Sequence, residues 1–351
     1  MKGIFSAKHL SAVALCVSTL SFSNISTADT LISDDALDAW FKEGKYEQII
    51  ETLEDEKNKS PERYFTYISA LMKTDLDDAE GAAEDLLVAY PDNYRVYLMH
   101  ASVMGAQAGE SIFSALGYAK KARKSLEKAT EVAPDEIQTY QALFQYHLFV
   151  PSIAGGDMDT AKSLVEKIAA LDSNEGLFAE AKYLLADGKK EQGIVILQSL
   201  AEKPETQVEA RYVLGDRYMS DEAYQLAVET LQPLMSIELE AVSEEDESAW
   251  ETYSDNRYNQ LYGFYRLGQS AVLSGKFTEL GIQALETYLT EFPGTSINTE
   301  GLPSLNWANL RLAELYLNAK NKDQARLALQ RIEGKEDDRF GKLLKGLQKK
   351  V

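Results

Sequence analysis

The chain has 351 residues, 45% of them hydrophobic and 10% aromatic, which excludes a disordered chain and supplies a core larger than that of one small domain. Its 36 basic and 56 acidic residues give a formal net charge of −20. Such a field repels nucleic acid and anionic membrane surfaces; it suits a basic or polar partner, or simply keeps the protein in solution.

Lys2 and Lys8 precede an apolar run at 10–20, LSAVALCVSTL, and Ser26, Thr27 and Ala28 put small residues ahead of Asp29. A charged start, a short apolar core and a small-residue site predict a cleavable signal peptide over 1–28, and with it an exported, periplasmic protein. A retained anchor needs about 20 apolar residues, and Ser18, Ser21, Ser23 and Asn24 arrive too early for one. The one cysteine, Cys16, lies inside the run. A lipoprotein attachment there is opposed by the bulky Leu15 before it and by the run continuing past it. Cleavage after Ala28 leaves 34 basic and 56 acidic residues, no transmembrane segment, and no thiol for a disulfide or a metal site.

From residue 33 onward apolar residues recur with the 3.6-residue period of amphipathic helices, arranged in pairs. In 33–60, Ala36, Leu37 and Trp40 mark a first helix capped by Ser33 or Asp34, and Tyr46, Ile49, Ile50 and Leu53 mark a second beyond Gly44 and Lys45. The stretch 62–90 carries Tyr64, Tyr67, Ile68 and Leu71, then Ala79, Ala82, Ala83, Leu86 and Leu87. In 92–133, Tyr94, Tyr97, Leu98 and Ala101 lead to a loop or extra turn expected around 105–113, followed by Ala119, Ala122, Leu126 and Ala129. In 135–172, Tyr140, Leu143, Phe144 and His147 precede a break at 150–156, where Pro151 stops the helix and Gly155 and Gly156 allow a turn that Asp157 closes as a cap. The fifth unit, 174–203, runs through Leu177, Ala181, Leu184, Gly188, Ile194, Leu197 and Leu200. The sixth places Leu214, Gly215 and Tyr218 before Tyr224, Ala227, Leu231 and Leu234.

The pattern then fails over 236–256, an acidic insertion with eight carboxylates and no lysine or arginine, which reads as a solvated loop. It lacks the regular spacing of a calcium loop. The clearest pair follows: Phe264, Leu267, Gly268 and Ala271, then Phe277, Leu280, Gly281 and Ala284, with Gly275 and Lys276 between them and Pro293 at the end. Gly268 is expected to leave a gap where the second helix approaches the first. An eighth unit joins Asn309, Leu312, Ala313 and Tyr316 to Ala325, Leu329 and Ile332, and 334–351 ends basic, as a capping helix would. The parts are therefore 1–28, six units in 29–235, the insertion 236–256, two units in 257–333, and the cap.

Two rulers support the periodicity. Pro61, Pro91, Pro134, Pro204 and Pro293 are spaced by multiples of a unit near 34 residues once insertions are allowed. Four units also keep a constant register between the contact positions of their two helices: Leu37 with Ile49, Gly215 with Ala227, Gly268 with Leu280, and Ala313 with Ala325. Paired helices of this length, with small residues at the contacts and a terminal proline, resemble the tetratricopeptide repeat. The resemblance covers about 33–333 and implies an all-α fold, an α-solenoid wound as a right-handed superhelix from about eight helical hairpins. One hairpin buries too little to be stable alone, so the units must stack.

Family members bind peptides or protein segments on the concave surface lined by the first helices. Mapping the repeat here puts Gln138, Gln141 and Gln145, Tyr212 and Asp216, Tyr262, Tyr265 and Gln269, and Trp307 and Glu314 on that surface. Aromatic rings offer rigid contact area and amides can pair with an extended backbone; each ring could equally serve packing between helices. Replacing both Tyr262 and Tyr265 with alanine is expected to abolish partner capture without lowering the melting temperature.

No constellation for catalysis, cofactor or metal stands out. His100 and His147 are far apart and read as packing histidines, and there is no H-E-x-x-H, G-x-S-x-G or phosphate-cradling loop. The expectation is a non-enzymatic, exported scaffold binding protein or peptide partners on its concave face, in envelope assembly. A glycan- or small-molecule-binding helical domain of a wall-processing system is the alternative, and a hydrolase acting through unassigned carboxylates a third.

Overall fold

The computed structural model describes residues 32–110, 114–334 and 336–351. The signal-peptide expectation for 1–28, with Cys16, lies outside them. Among the described residues every regular element is helical, and the chain divides into two compact units, Met1–Lys190 and Glu191–Val351.

In the first unit α1 (Asp34–Lys42) pairs with α2 (Tyr46–Leu53), α3 (Pro61–Thr74) with α4 (Leu76–Ala89), α5 (Tyr94–Glu110) with α6 (Ala115–Val132), and α7 (Ile137–Phe149) with α8 (Met158–Leu171). Helix α9 (Ser173–Ala186) packs on α8. The first helices α1, α3, α5, α7 and α9 also pack each on the next, so they form one row. The second unit opens with α10 (Lys190–Ala201). It continues with the hairpins α11 (Gln207–Ser220) and α12 (Tyr224–Leu231), α13 (Glu247–Ser274) and α14 (Thr278–Glu291), and α15 (Leu305–Asn318) and α16 (Lys322–Gln330). Here α11, α13 and α15 make the row of first helices. Helix α17 (Asp338–Gln348) packs on α15 and α16, with Phe340 fully buried edge-on to Trp307 at 5.1 Å.

The helices start where short polar side chains can accept the free N–H groups of a first turn. Ser33 accepts from Ala36 N, Ser60 from Arg63 N, Asp157 from Thr160 N and Ser304 from Trp307 N. Pro61 stands at the first turn of α3, where its missing N–H costs nothing.

Several hairpins share one turn. Gly44, Gly188, Glu222 and Lys320 all have a left-handed φ, between 59° and 78°, two positions before the next helix. In each case the N–H of the following residue donates to a carbonyl one turn back in the preceding helix: Lys45 to Trp40, Lys189 to Leu184, Ala223 to Tyr218 and Asn321 to Tyr316, all at 2.8–2.9 Å. This closure satisfies a helix-end carbonyl and demands a residue tolerant of positive φ, the usual reason for glycine there. Gly188 therefore belongs to the turn, not to the helix face expected for it.

Two other expectations are corrected. The loop expected around 105–113 is helix as far as Glu110: α5 runs through Gly105 and Gly109 because Met104, Gln107 and Ala108 are buried, and Gln107 Nε2 donates to Leu76 O (3.0 Å) and Asp77 Oδ1 (2.9 Å). Tertiary packing here outweighs the roughly 1 kcal/mol that glycine costs a helix interior. Residues 111–113 lie outside the described chain. The acidic stretch 236–256 is likewise not all loop. From Glu247 it is the start of α13, capped by Asp246 on Ala249 N, with Trp250 and Tyr253 packed on the core. Buried Gln260 pins the preceding strand of coil by donating to Leu234 O (3.2 Å) and Ile237 O (2.6 Å).

Candidate functional site

The first helices of the second unit carry one aromatic and cationic stripe. On α11, Tyr212 and Asp216 are one turn apart; on α13, Tyr258, Tyr262, Arg266 and Gln269 follow at helical spacing; on α15, Trp307, Arg311 and Glu314 do the same. Because these three helices pack side by side, the three short runs become one surface.

At its centre the rings of Tyr212 and Tyr262 lie 5.3 Å apart, and Tyr258 meets Tyr262 edge-on at 6.2 Å. The guanidinium of Arg266 sits 4.9 Å from the Tyr262 centroid, pairs with Asp216 through Nη2 (2.7 Å) and donates to Gln269 Oε1 through Nη1 (2.9 Å). The pattern repeats on α15, where Arg311 is 5.5 Å from the Trp307 ring and its Nη1 donates to Glu314 Oε2 at 2.7 Å. Arg311 also hydrogen-bonds Tyr265, whose ring faces the fully buried Tyr288 at 5.9 Å. The Tyr288 hydroxyl donates in turn to Pro303 O.

Burial decides the electrostatics. It opposes the charge on Arg266, and Asp216 with the surrounding tyrosines overcomes it, so Arg266 stays protonated more firmly than a free arginine. Burial likewise pushes the Tyr258 hydroxyl up to about 12, and raises Tyr212 and Tyr288 as well. None of these phenols is an acid or base near neutral pH. The stripe therefore offers aromatic faces, fixed cations with their carboxylates, and one amide, and it presents no nucleophile beside a base.

The structure brings seven of the ten sequence-assigned residues together in this stripe: Tyr212, Asp216, Tyr262, Tyr265, Gln269, Trp307 and Glu314. The other three, Gln138, Gln141 and Gln145, are half-buried on α7 in the first unit, and Gln141 Nε2 donates to Glu175 on α9 at 2.8 Å. The rings are more buried than a free binding face would have them. Tyr212, Tyr262 and Tyr265 are 9%, 7% and 5% exposed, so each also holds helices together. The sequence reading passed over Arg266 and Arg311, which organise the stripe. Their signal was present: each stands one turn after an aromatic and three residues before Gln269 or Glu314.

His100 Nδ1 lies 2.8 Å from Ser125 Oγ between α5 and α6, and His147 packs edge-on to Tyr146 at 5.5 Å; both are buried, and burial pulls both below the usual histidine range. A cavity of about 220 Å³ in the first unit is lined by Glu54, Lys59, Tyr64, Tyr67, Asp78 and Asp85. Lys59 already engages it, lying 5.4 Å and 5.1 Å from the Tyr64 and Tyr67 rings and donating to Glu54 O (3.1 Å) and Glu56 O (2.9 Å). Among the described residues no group of three or more His, Cys, Asp or Glu side chains is placed to hold a metal ion, and no helix is long and apolar enough to cross a membrane.

Rows of helix pairs, each packed on its neighbour and several closed by the same turn, define an all-helical repeat protein. Residues 307–335, which run from the first turn of α15 through α16, match the family model described as Tetratricopeptide repeat. Among solved structures it is similar to the TPR domain of P58(IPK), at 12% identity and a TM-score of 0.28, over 90% of this chain and 96% of that one. No curated protein sequence matches the chain.

Proposed function

We propose that this protein is an exported, non-enzymatic scaffold that holds a protein or peptide partner along the first helices of its second unit. The observation that carries the reading is the repeated aromatic–arginine–acceptor motif: Tyr262, Arg266 and Gln269 on α13, and Trp307, Arg311 and Glu314 on α15. Two similar arrangements on adjacent first helices form a periodic surface, which suits an extended chain better than a compact ligand. The half-buried Asp216 and Gln269 give that surface its accessible polar groups. A glycan reading has less support, because sugars stack on open ring faces and these rings are buried.

A photo-crosslinking residue placed at Asp216 or Gln269 tests the site against the same residue at Glu229 or Lys322, which are exposed on second helices. Cross-links to discrete envelope proteins are expected at the first pair only. Equal labelling at all four positions would remove the assignment.

Export is the second part of the proposal and rests on Lys2, Lys8, the apolar run and the small residues up to Ala28. It predicts protein in the periplasmic fraction whose N-terminal residue is Asp29. Recovery of the chain with residues 1–28 intact would refute it.

A further inference from the structure

The first unit carries a surface of its own, around its second helix α6. After α7 the chain makes a 3-10 turn, Ser152–Ala154, that packs on α6. The turn is built tightly. The Tyr146 hydroxyl bridges it to α6 by bonding Ala154 O (2.7 Å) and Ala119 O (3.0 Å). Gly155 has φ +100°, a Cβ on Gly156 would fall 1.7 Å from Val150 O, and Asp157 N donates to His147 O at 3.2 Å. Yet this fixed turn holds Ile153 81% exposed, and at its entry Phe149 is 51% exposed. A segment with every backbone constraint satisfied could turn a polar residue outward; it presents isoleucine instead, which water disfavours.

The charge next to it is unusual for this chain. Helix α6 has five basic residues against two acidic, in a protein of net charge −20. Leu116, exposed at 49%, and Lys120 stand on the same end of α6 as Ala119, and Arg123 lies 3.8 Å from where a Gly155 Cβ would be. Lys120 and Lys124 are exposed and pair with no acid among the described residues. The nearby acids are already engaged: Glu127 is 3.7 Å from Arg123 Nε, and Asp157 accepts from Thr160 N at 2.6 Å. Lys121 is taken up by Glu80 at 2.5 Å.

We propose that Ile153, Phe149 and Leu116, bordered by Lys120 and Lys124, form a docking surface for an acidic, amphipathic segment of a partner protein. The apolar side chains would take the partner's apolar anchor, and the two free ammonium groups would face its carboxylates. An anionic membrane would meet the same local cations as an acidic segment, and the vesicle arm of the test separates the two.

The test is selection of a random 12-residue phage library on the full chain, with Lys120→Glu/Lys124→Glu and Ile153→Ser as counter-targets, and a parallel flotation assay with phosphatidylglycerol vesicles. Each substituted side chain is exposed, so melting temperatures should not move. The expected result is a set of peptides enriched in Asp or Glu around a large apolar residue, bound at least about tenfold more weakly by either variant. Peptides without acidic enrichment, or peptides that bind all three proteins alike, would overturn the proposal. Variant-sensitive flotation with the vesicles would overturn it in favour of a lipid surface. The photo-crosslinking result for the second unit is independent of every one of these outcomes.

Discussion

A Cβ on Gly268 would stand 2.3 Å from Leu285 Cγ, closer than two carbon atoms can lie. Helix α14 rests directly on the α13 backbone at that point, and Leu285 is fully buried and cannot swing away. Gly215 and Leu231 repeat the relationship between α11 and α12, at 2.5 Å. The residue filling each gap is a leucine further along the second helix than the register positions Leu280 and Ala227.

Gly268→Leu should therefore destabilise the protein by more than about 1 to 3 kcal/mol, because extra methylenes enter a filled contact. Gly268→Ala should also destabilise. The same change at Gly81, exposed within α4 and with nothing within 4 Å of a Cβ, should stabilise by up to about 1 kcal/mol. Urea unfolding of the two alanine variants checks the contrast; shifts of the same sign would refute it.

Glu222→Gly and Lys320→Gly should each raise stability by about 0.5 to 1 kcal/mol. Both positions hold left-handed backbone in the turn that uses glycine at 44 and 188, so a Cβ penalty is relieved, partly offset by the freer unfolded chain. Gly188→Ala should move the melting temperature the other way.

Tyr262→Ala with Tyr265→Ala should lower the melting temperature sharply, contrary to the expectation from sequence. Both rings belong to the core, and truncating a large buried aromatic costs about 3 to 5 kcal/mol. Tyr262→Phe, which keeps the ring against Tyr212 and Arg266, should melt within about 1.5 kcal/mol of wild type. That contrast, followed by calorimetry, separates the packing role of the ring from any role of its hydroxyl.

Stability should acquire a histidine-dependent loss below about pH 6.5. His147 is buried, and its Nδ1 has no hydrogen-bond partner among the described residues; burial first, and then Arg123, hold its pKa down, against Asp157 and Glu127. A depressed folded pKa means that the unfolded chain takes up the proton first, so stability is full above the unfolded value of about 6.5 and is lost as pH falls toward the folded one. Acidification also eases the repulsion within this acidic chain, so the readout is the difference between wild type and His147→Gln. That difference should change in favour of the variant between pH 7 and pH 5, and a constant difference would contradict the assignment.

The helical pairs were legible in sequence because a helix buried on one face repeats its apolar residues every three or four positions, whatever it packs against. Tyr46, Ile49 and Leu53, or Leu312, Ala313 and Tyr316, announce their helix without any partner being known. The seven residues of the stripe could be assigned for the same reason, since the repeat says which face of a first helix points along the row. Other features depended on neighbours distant in sequence. Glycines 105 and 109 look like a loop until Gln107 is seen bonded to Leu76 and Asp77, and the acids of 236–256 look solvated until Trp250 and Tyr253 find the core. Arg266 acquires its role only when α11 brings Asp216 to 2.7 Å, and Ile153 becomes notable only because Tyr146, held against α6, keeps it facing water. Local periodicity determined which segments are helices and how they pair; packing between pairs decided which polar groups are buried, which charges meet, and which apolar side chains are left in solvent.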